Sequence, residues 1–105
     1  MPSLNTIRSF MKYEKLSDNL DLFKTLADET RLRILCIIGK KKLTGVEILK
    51  QLDIAQPSLS FQMVKLVKSG LVNAEEKWKW TYYSVNAEKL KGAIKSFRIL
   101  NDILK

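Results

Sequence analysis

The apolar positions fall into five stretches of helical period, then two short segments of a different period, then one more helical stretch. Over residues 55–70, Leu59, Met63, Leu66 and Val67 share one stripe at the spacing of a helix. The opposite face carries Ser58, Phe61, Gln62, Lys65 and Lys68, with no acid among them. Pro57 suits a first helical turn, where its missing N–H is not needed. Gly70 suits the left-handed cap that ends a helix. The pattern predicts a helix over about 56–69. Taken alone, such a helix could also be a core helix with a solvated back, so its neighbours decide what it is for.

Upstream, Leu4, Ile7, Phe10 and Met11 line one face of a helix over 3–14, with Ser3 as its N-cap. Ser17 can cap a second short helix carrying Leu20, Phe23 and Leu26. Asp28 and Glu29 open a third and Gly39 closes it, with Leu32, Leu35 and Ile38 expected towards the core. Lys40, Lys41 and Lys42 follow at the negative end of that helix dipole and read as a compensating loop. Thr44, with Glu47 three positions on, forms a capping box for a helix over 45–52, whose stripe is Val46, Leu49 and Leu52. Asp53, Ile54 and Ala55 then lead into 56–69. Two helices joined so tightly, the second with a polar outer face, form the helix-turn-helix pattern.

After Gly70 the period drops to about two residues. Residues 71–76 and 79–85 are rich in β-branched and aromatic side chains, separated by Lys77 and Trp78. They predict a β-hairpin with a basic tip. Asn86 caps a last helix with Leu90, Ile94, Phe97, Leu100 and Leu104 along one side. Gly92 inside it costs about 1 kcal/mol against alanine, so a close helix approach is expected there. The fold class is mainly α with a small β-hairpin (α+β). It is a winged helix-turn-helix of order α-α-α-α-β-β-α with an additional N-terminal helix. Residues 1–105 form a single domain, with the recognition helix at about 56–69, the wing at about 71–85 and the terminal helices left for dimerisation.

Composition sharpens this picture. The 105 residues carry 19 Lys+Arg against 11 Asp+Glu, a net charge of +8. Such a balance points to a polyanionic partner or a membrane surface. The excess is larger in residues 55–105, with nine basic and four acidic side chains, than in 1–54, with ten and seven. One cysteine, Cys36, allows no intramolecular disulfide. There is neither an apolar run of transmembrane length nor a signal-peptide pattern, so a soluble cytoplasmic protein is expected. With no histidine, no glycine-rich phosphate loop and no clustered carboxylates, the chain is expected not to be an enzyme and to need no cofactor.

Candidate DNA-binding residues are Gln56, Ser58, Ser60, Phe61, Gln62 and Lys65 on the recognition helix, with Lys77 and Lys79 on the wing. Hydroxyls and amides can bond base edges or phosphates, and lysines neutralise phosphates. Ser60 could instead bond its own helix backbone. Phe61 points away from the apolar stripe and suits either thymine methyls or a partner protein. Trp78 could insert into a minor groove, stay in solvent or pack on the hairpin. Cys36 reads as a small buried hydrophobe.

The run Leu22-Phe-Lys-Thr-Leu-Ala-Asp-Glu-Thr-Arg-Leu-Arg-Ile-Leu35 resembles the corresponding helices of the ArsR/SmtB family of small transcriptional repressors. Gln56-Pro-Ser-Leu-Ser60 is similar to the start of that family's recognition helix. Gly70-Leu-Val72 is similar to its turn into the wing, and Lys79-Trp-Thr-Tyr-Tyr83 to its second wing strand. The resemblance implies a homodimer paired through the first and last helices and bound to a two-fold symmetric double-stranded DNA operator. The seam would use Leu4, Ile7 and Phe10 with Leu90, Ile94, Phe97 and Leu100, residues that could otherwise form an intramolecular core.

Several positions depart from the family pattern. Its thiolate metal sensors carry cysteines where Thr44 and Val46 stand here, and another sensor class uses histidine in the last helix. Neither metal site is expected in this chain. The family's sulfur sensors pair a cysteine at the place of Cys36 with a second one near the C-terminus, which is absent here. Phe61 replaces a usual arginine, Asp53 a glycine before the recognition helix, and Trp78 a glycine at the wing tip. The expected function is a sequence-specific DNA-binding repressor. The alternative is a winged-helix protein–protein adaptor that does not bind DNA, with Phe61 and Trp78 as contacts. A membrane-surface role is disfavoured, because no helix joins a lysine-rich face to a broad aromatic one.

Overall fold

The computed structural model describes residues 2–105, among which there are six helices and three strands. The order is α1 (Leu4–Ser17), α2 (Leu20–Leu26), α3 (Glu29–Ile38), β1 (Leu43–Thr44), α4 (Gly45–Leu49), α5 (Gln56–Ser69), β2 (Val72–Lys77), β3 (Trp80–Val85) and α6 (Ala87–Asp102).

Capping chemistry sets most of the boundaries. Ser3, Asp28, Thr44 and Asn86 each accept a backbone N–H from the residue three further on, which satisfies one orphan donor of the first turn. At Thr44 the box is reciprocal, since Glu47 reaches back to the Thr44 N–H at 3.0 Å. The Thr44 N–H and then the Thr44 hydroxyl, both donating to Glu47 Oε1, hold the Glu47 carboxyl below its ordinary range. Gly70 closes α5 at φ 84°, ψ 0°, the left-handed cap expected of it.

The hairpin pairs Val72 with Val85 through to Lys77 with Trp80, and β1 adds a third antiparallel strand along β3, giving the order β1-β3-β2. The sequence pattern missed β1 because two residues show no period. The base of the wing is pinned by the Asn86 N–H, which donates to the Leu71 carbonyl at 2.8 Å.

The core gathers Ile34, Leu35 and Ile38 from α3, Ile48 from α4, Leu59, Met63 and Leu66 from α5, and Leu71 and Val72 at the start of the wing. Truncating any large member of this set to alanine costs about 2–5 kcal/mol. Several expected core positions move outwards. Leu32, Val46 and Leu20 are exposed, while Ile34, Ile48 and Leu22 take the buried places beside them. Val67 also lies at the rim. The shift follows from three-sided packing, in which α3 and α4 meet the sheet as well as α5 and turn their faces accordingly.

Four further expectations change. Ser17 is the last residue of α1 and caps nothing, and α2 follows Asn19 without a side-chain cap. Helix α4 stops at Leu49 rather than 52. The wing tip is Trp78 and Lys79, one residue later than the sequence pattern places it. A Cβ placed on Gly92 would meet nothing within 4 Å, so no close helix approach explains that glycine.

Helix α1 and the outer part of α6 stand apart from the rest, while α6 buries Ala93 in the core. The two helices pack on each other, and α1 buries none of its residues. The Phe23 and Phe97 rings, 4.1 Å between centroids, and the Asn19 side-chain amide donating to Ser96 Oγ at 2.6 Å fasten α6 to the body. The molecule measures 60 × 26 × 21 Å with a radius of gyration of 17.2 Å. A compact chain of this length would give about 13 Å. No described helix is long and apolar enough to cross a membrane.

Candidate nucleic-acid interface

Helix α5 presents an acid-free outer face because Leu59, Met63 and Leu66 bury the other. Gln56, Ser58, Ser60 and Lys65 are exposed on it. Phe61 is 59% exposed, and its ring lies 4.6 Å from Lys65 Nζ. That cation–π contact holds the lysine along the helix surface rather than out in solvent. Ala55 supplies no side-chain cap, so the uncapped N–H groups of the first turn remain free to meet an anion.

Gln62 differs from its neighbours. It is half-buried, and its Oε1 accepts from Arg31 Nη1 at 2.8 Å. Arg31 Nε in turn donates to the Thr25 carbonyl at 2.6 Å, and its backbone N–H goes to Asp28 at 2.9 Å. With its oxygen engaged, Gln62 has its NH2 donors left for acceptors such as guanine O6 and N7 or thymine O4.

The wing stands beside this helix. Lys77 ends β2, and Lys79 lies in the loop with Nζ 6.0 Å from the Trp80 ring. Trp78 is 98% exposed, which removes hairpin packing as its role. Its φ of 61° lies in the left-handed region that glycine favours. Positive φ at the first of two loop residues alone is the mark of a II′ turn, whose twist matches the strands. The wing is not uniformly basic. Glu75 and Glu76 lie in β2, Glu75 paired to Lys42 at 3.3 Å.

Two residues of this surface escaped the sequence pattern. Arg31 precedes Ile34, Leu35 and Ile38 by three, four and seven positions, the spacing of a buried face, and that spacing was the available signal. Val64, 52% exposed beside Phe61 and Lys68, extends the apolar part of the helix surface. Cys36 corrects another expectation. It is exposed, in a shallow depression with Leu32, Arg33 and Leu52, because α3 turns Ile34 and Leu35 inwards instead.

A family model described as a helix-turn-helix domain matches residues 26–75. The arsenical resistance operon repressor of Staphylococcus aureus is 31% identical over 91 residues, which cover 87% of this chain and 85% of that protein. The chain belongs to the ArsR family of winged-helix transcriptional regulators. The transcriptional activator HlyU of Vibrio cholerae is 32% identical over 73 residues, covering 70% of this chain and 68% of the relative. Among solved structures, HlyU from Vibrio vulnificus CMCP6 superposes with a TM-score of 0.73 at 28% identity, covering 89% of this chain and 97% of that one. The ArsR membership accounts for the winged-helix element order.

Proposed function

We propose that this ArsR-family chain is a cytoplasmic, sequence-specific double-stranded DNA-binding repressor that works as a homodimer. In this reading α5 enters the major groove and Lys77 and Lys79 neutralise phosphates beside it. The observation that carries it is the outer face of α5, which holds amides, hydroxyls and lysines and no acid. The dimer is supported by Leu4, Ile7, Phe10, Ile94, Phe97 and Leu100, all exposed on the two helices that project from the body, with Leu90 half-buried below them. Repression is favoured by relatives named as repressors, although HlyU is named as an activator.

The regulator is further read as blind to the metals sensed by thiolate and histidine sites. It has no histidine, and Cys36 is its only thiol. Among the described residues no three of His, Cys, Asp and Glu converge.

Genomic footprinting in the host, followed by titration of the recovered fragment, tests the reading. Gln62→Ala should cost about 1–3 kcal/mol of specific affinity and relax choice at one base pair, while Lys77→Ala with Lys79→Ala should weaken all duplexes alike. Parental binding by both variants would refute the docking. Exposed Phe61, Val64 and Trp78 favour the adaptor as second reading. Binding to a partner protein that ignores salt, with no duplex binding, would select it.

A further inference from the structure

Arg31 is 9% exposed and forms no ion pair among the described residues. A buried cation without an anion is expensive, and such groups are usually paired. A guanidinium has five N–H donors. Here one serves the Thr25 carbonyl and one serves Gln62, and no acceptor among the described residues takes the other three. Since no fully buried polar side-chain atom among the described residues lacks a partner, Arg31 Nη2 has an opening to the outside.

That opening is a cleft of about 370 Å3 between α2 and the second half of α5. Lys24, Lys65, Lys68 and Arg31 line it against a single acid, Asp21. The cleft is continuous with the DNA-facing surface, because Lys65 belongs to both and Gln62 bonds the same guanidinium. The unpaired guanidinium donors, the three lysine ammonium groups and a net positive charge match a phosphate oxygen set.

We propose that this cleft clamps one backbone phosphate of bound DNA in each half-site, with Arg31 as the fixed donor at its base and Lys24, Lys65 and Lys68 closing around it. The inference rests on the DNA-binding reading and deepens it. The same guanidinium would then touch the phosphate with one edge and orient Gln62 with the other, linking backbone position to base contact.

Arg31 also ties α2 to α5, so its removal mixes two effects. Lys24 and Lys68 are exposed and free of ion pairs among the described residues, and removing them leaves the Arg31 tie between α2 and α5 in place. The probe is a mixed-sequence duplex of about 20 base pairs, titrated by fluorescence anisotropy across salt. Lys24→Ala combined with Lys68→Ala should lower the slope of log affinity against log salt by about one. At 0.15 M salt this corresponds to an affinity loss of about fivefold. Lys40→Ala with Lys41→Ala, the same charge removed from the α3–β1 loop, should change the slope less. Inorganic phosphate, titrated calorimetrically, provides the other arm. If the cleft variant loses phosphate binding but keeps the parental duplex slope, the cleft is a small-anion site and the clamp is overturned. An unchanged slope without phosphate binding overturns it too, and leaves the DNA reading standing. A parent that binds no duplex at any salt overturns both.

Discussion

Replacing Trp78 with glycine should raise the stability of the fold and weaken its grip on DNA in one step. The φ of 61° at Trp78 puts a side chain where a Cβ crowds the backbone, at a cost of about 1–2 kcal/mol. Glycine removes that cost and returns roughly 0.5–1 kcal/mol through its larger freedom in the unfolded chain. The indole is 98% exposed, so its deletion forfeits no packing. The balance is centred on a gain of about 0.75 kcal/mol, which corresponds to roughly 3–6 °C in Tm for a domain of this size. Circular dichroism melts at one fixed chain concentration measure it, since association makes Tm depend on concentration. Anisotropy titration of a duplex should show the opposite sign, a loss of about fivefold or more if the tip reaches the groove. A lower Tm would mean that the indole is packed and the turn unstrained. Unchanged affinity would remove Trp78 from the DNA surface.

Leu100→Glu should convert a dimer into a folded monomer by light scattering. It is a cleaner probe than Phe97→Asp, whose ring also supports Phe23, and a dimer of unchanged mass would move the seam elsewhere. Thr44→Ala should cost about 1 kcal/mol through the lost cap. Because the folded Glu47 pKa is lowered, the stability it contributes is present above the unfolded carboxylate pKa and lost as pH falls through the folded one. The variant should therefore lose less stability than the parent on acidification, read from melts across the acid range. Cys36 should react with a thiol reagent in the native protein at nearly the rate seen in denaturant, and strong protection would return it to the core.

Much of the chain could be read because its signals are local. Caps at Ser3, Asp28, Thr44 and Asn86, and the glycine that ends α5, are short-range chemistry, and the bounds of α5 match the pattern. What escaped depended on neighbours in space. Which of Leu32 or Ile34 is buried is set by where the sheet lies against α3, and a wheel drawn for one helix cannot supply that direction. Cys36 went to the surface for the same reason. On the site surface, Gln62 was legible as a polar position on α5. Its hydrogen bond to a residue 31 positions earlier was not, since nothing in either segment alone announces it.

Helix α1 buries no residue within its own chain and leans only on α6, and a helix of 14 residues with so little cover is marginal in water. If a second copy supplies the missing cover, helicity becomes a readout of copy number, and the signal at 222 nm should fall on dilution. Well below the dissociation constant of the pair, halving the chain concentration leaves a quarter of the dimers. A promoter governed by such a protein would respond to the synthesis rate of its regulator more sharply than in proportion, with no ligand needed to make it do so.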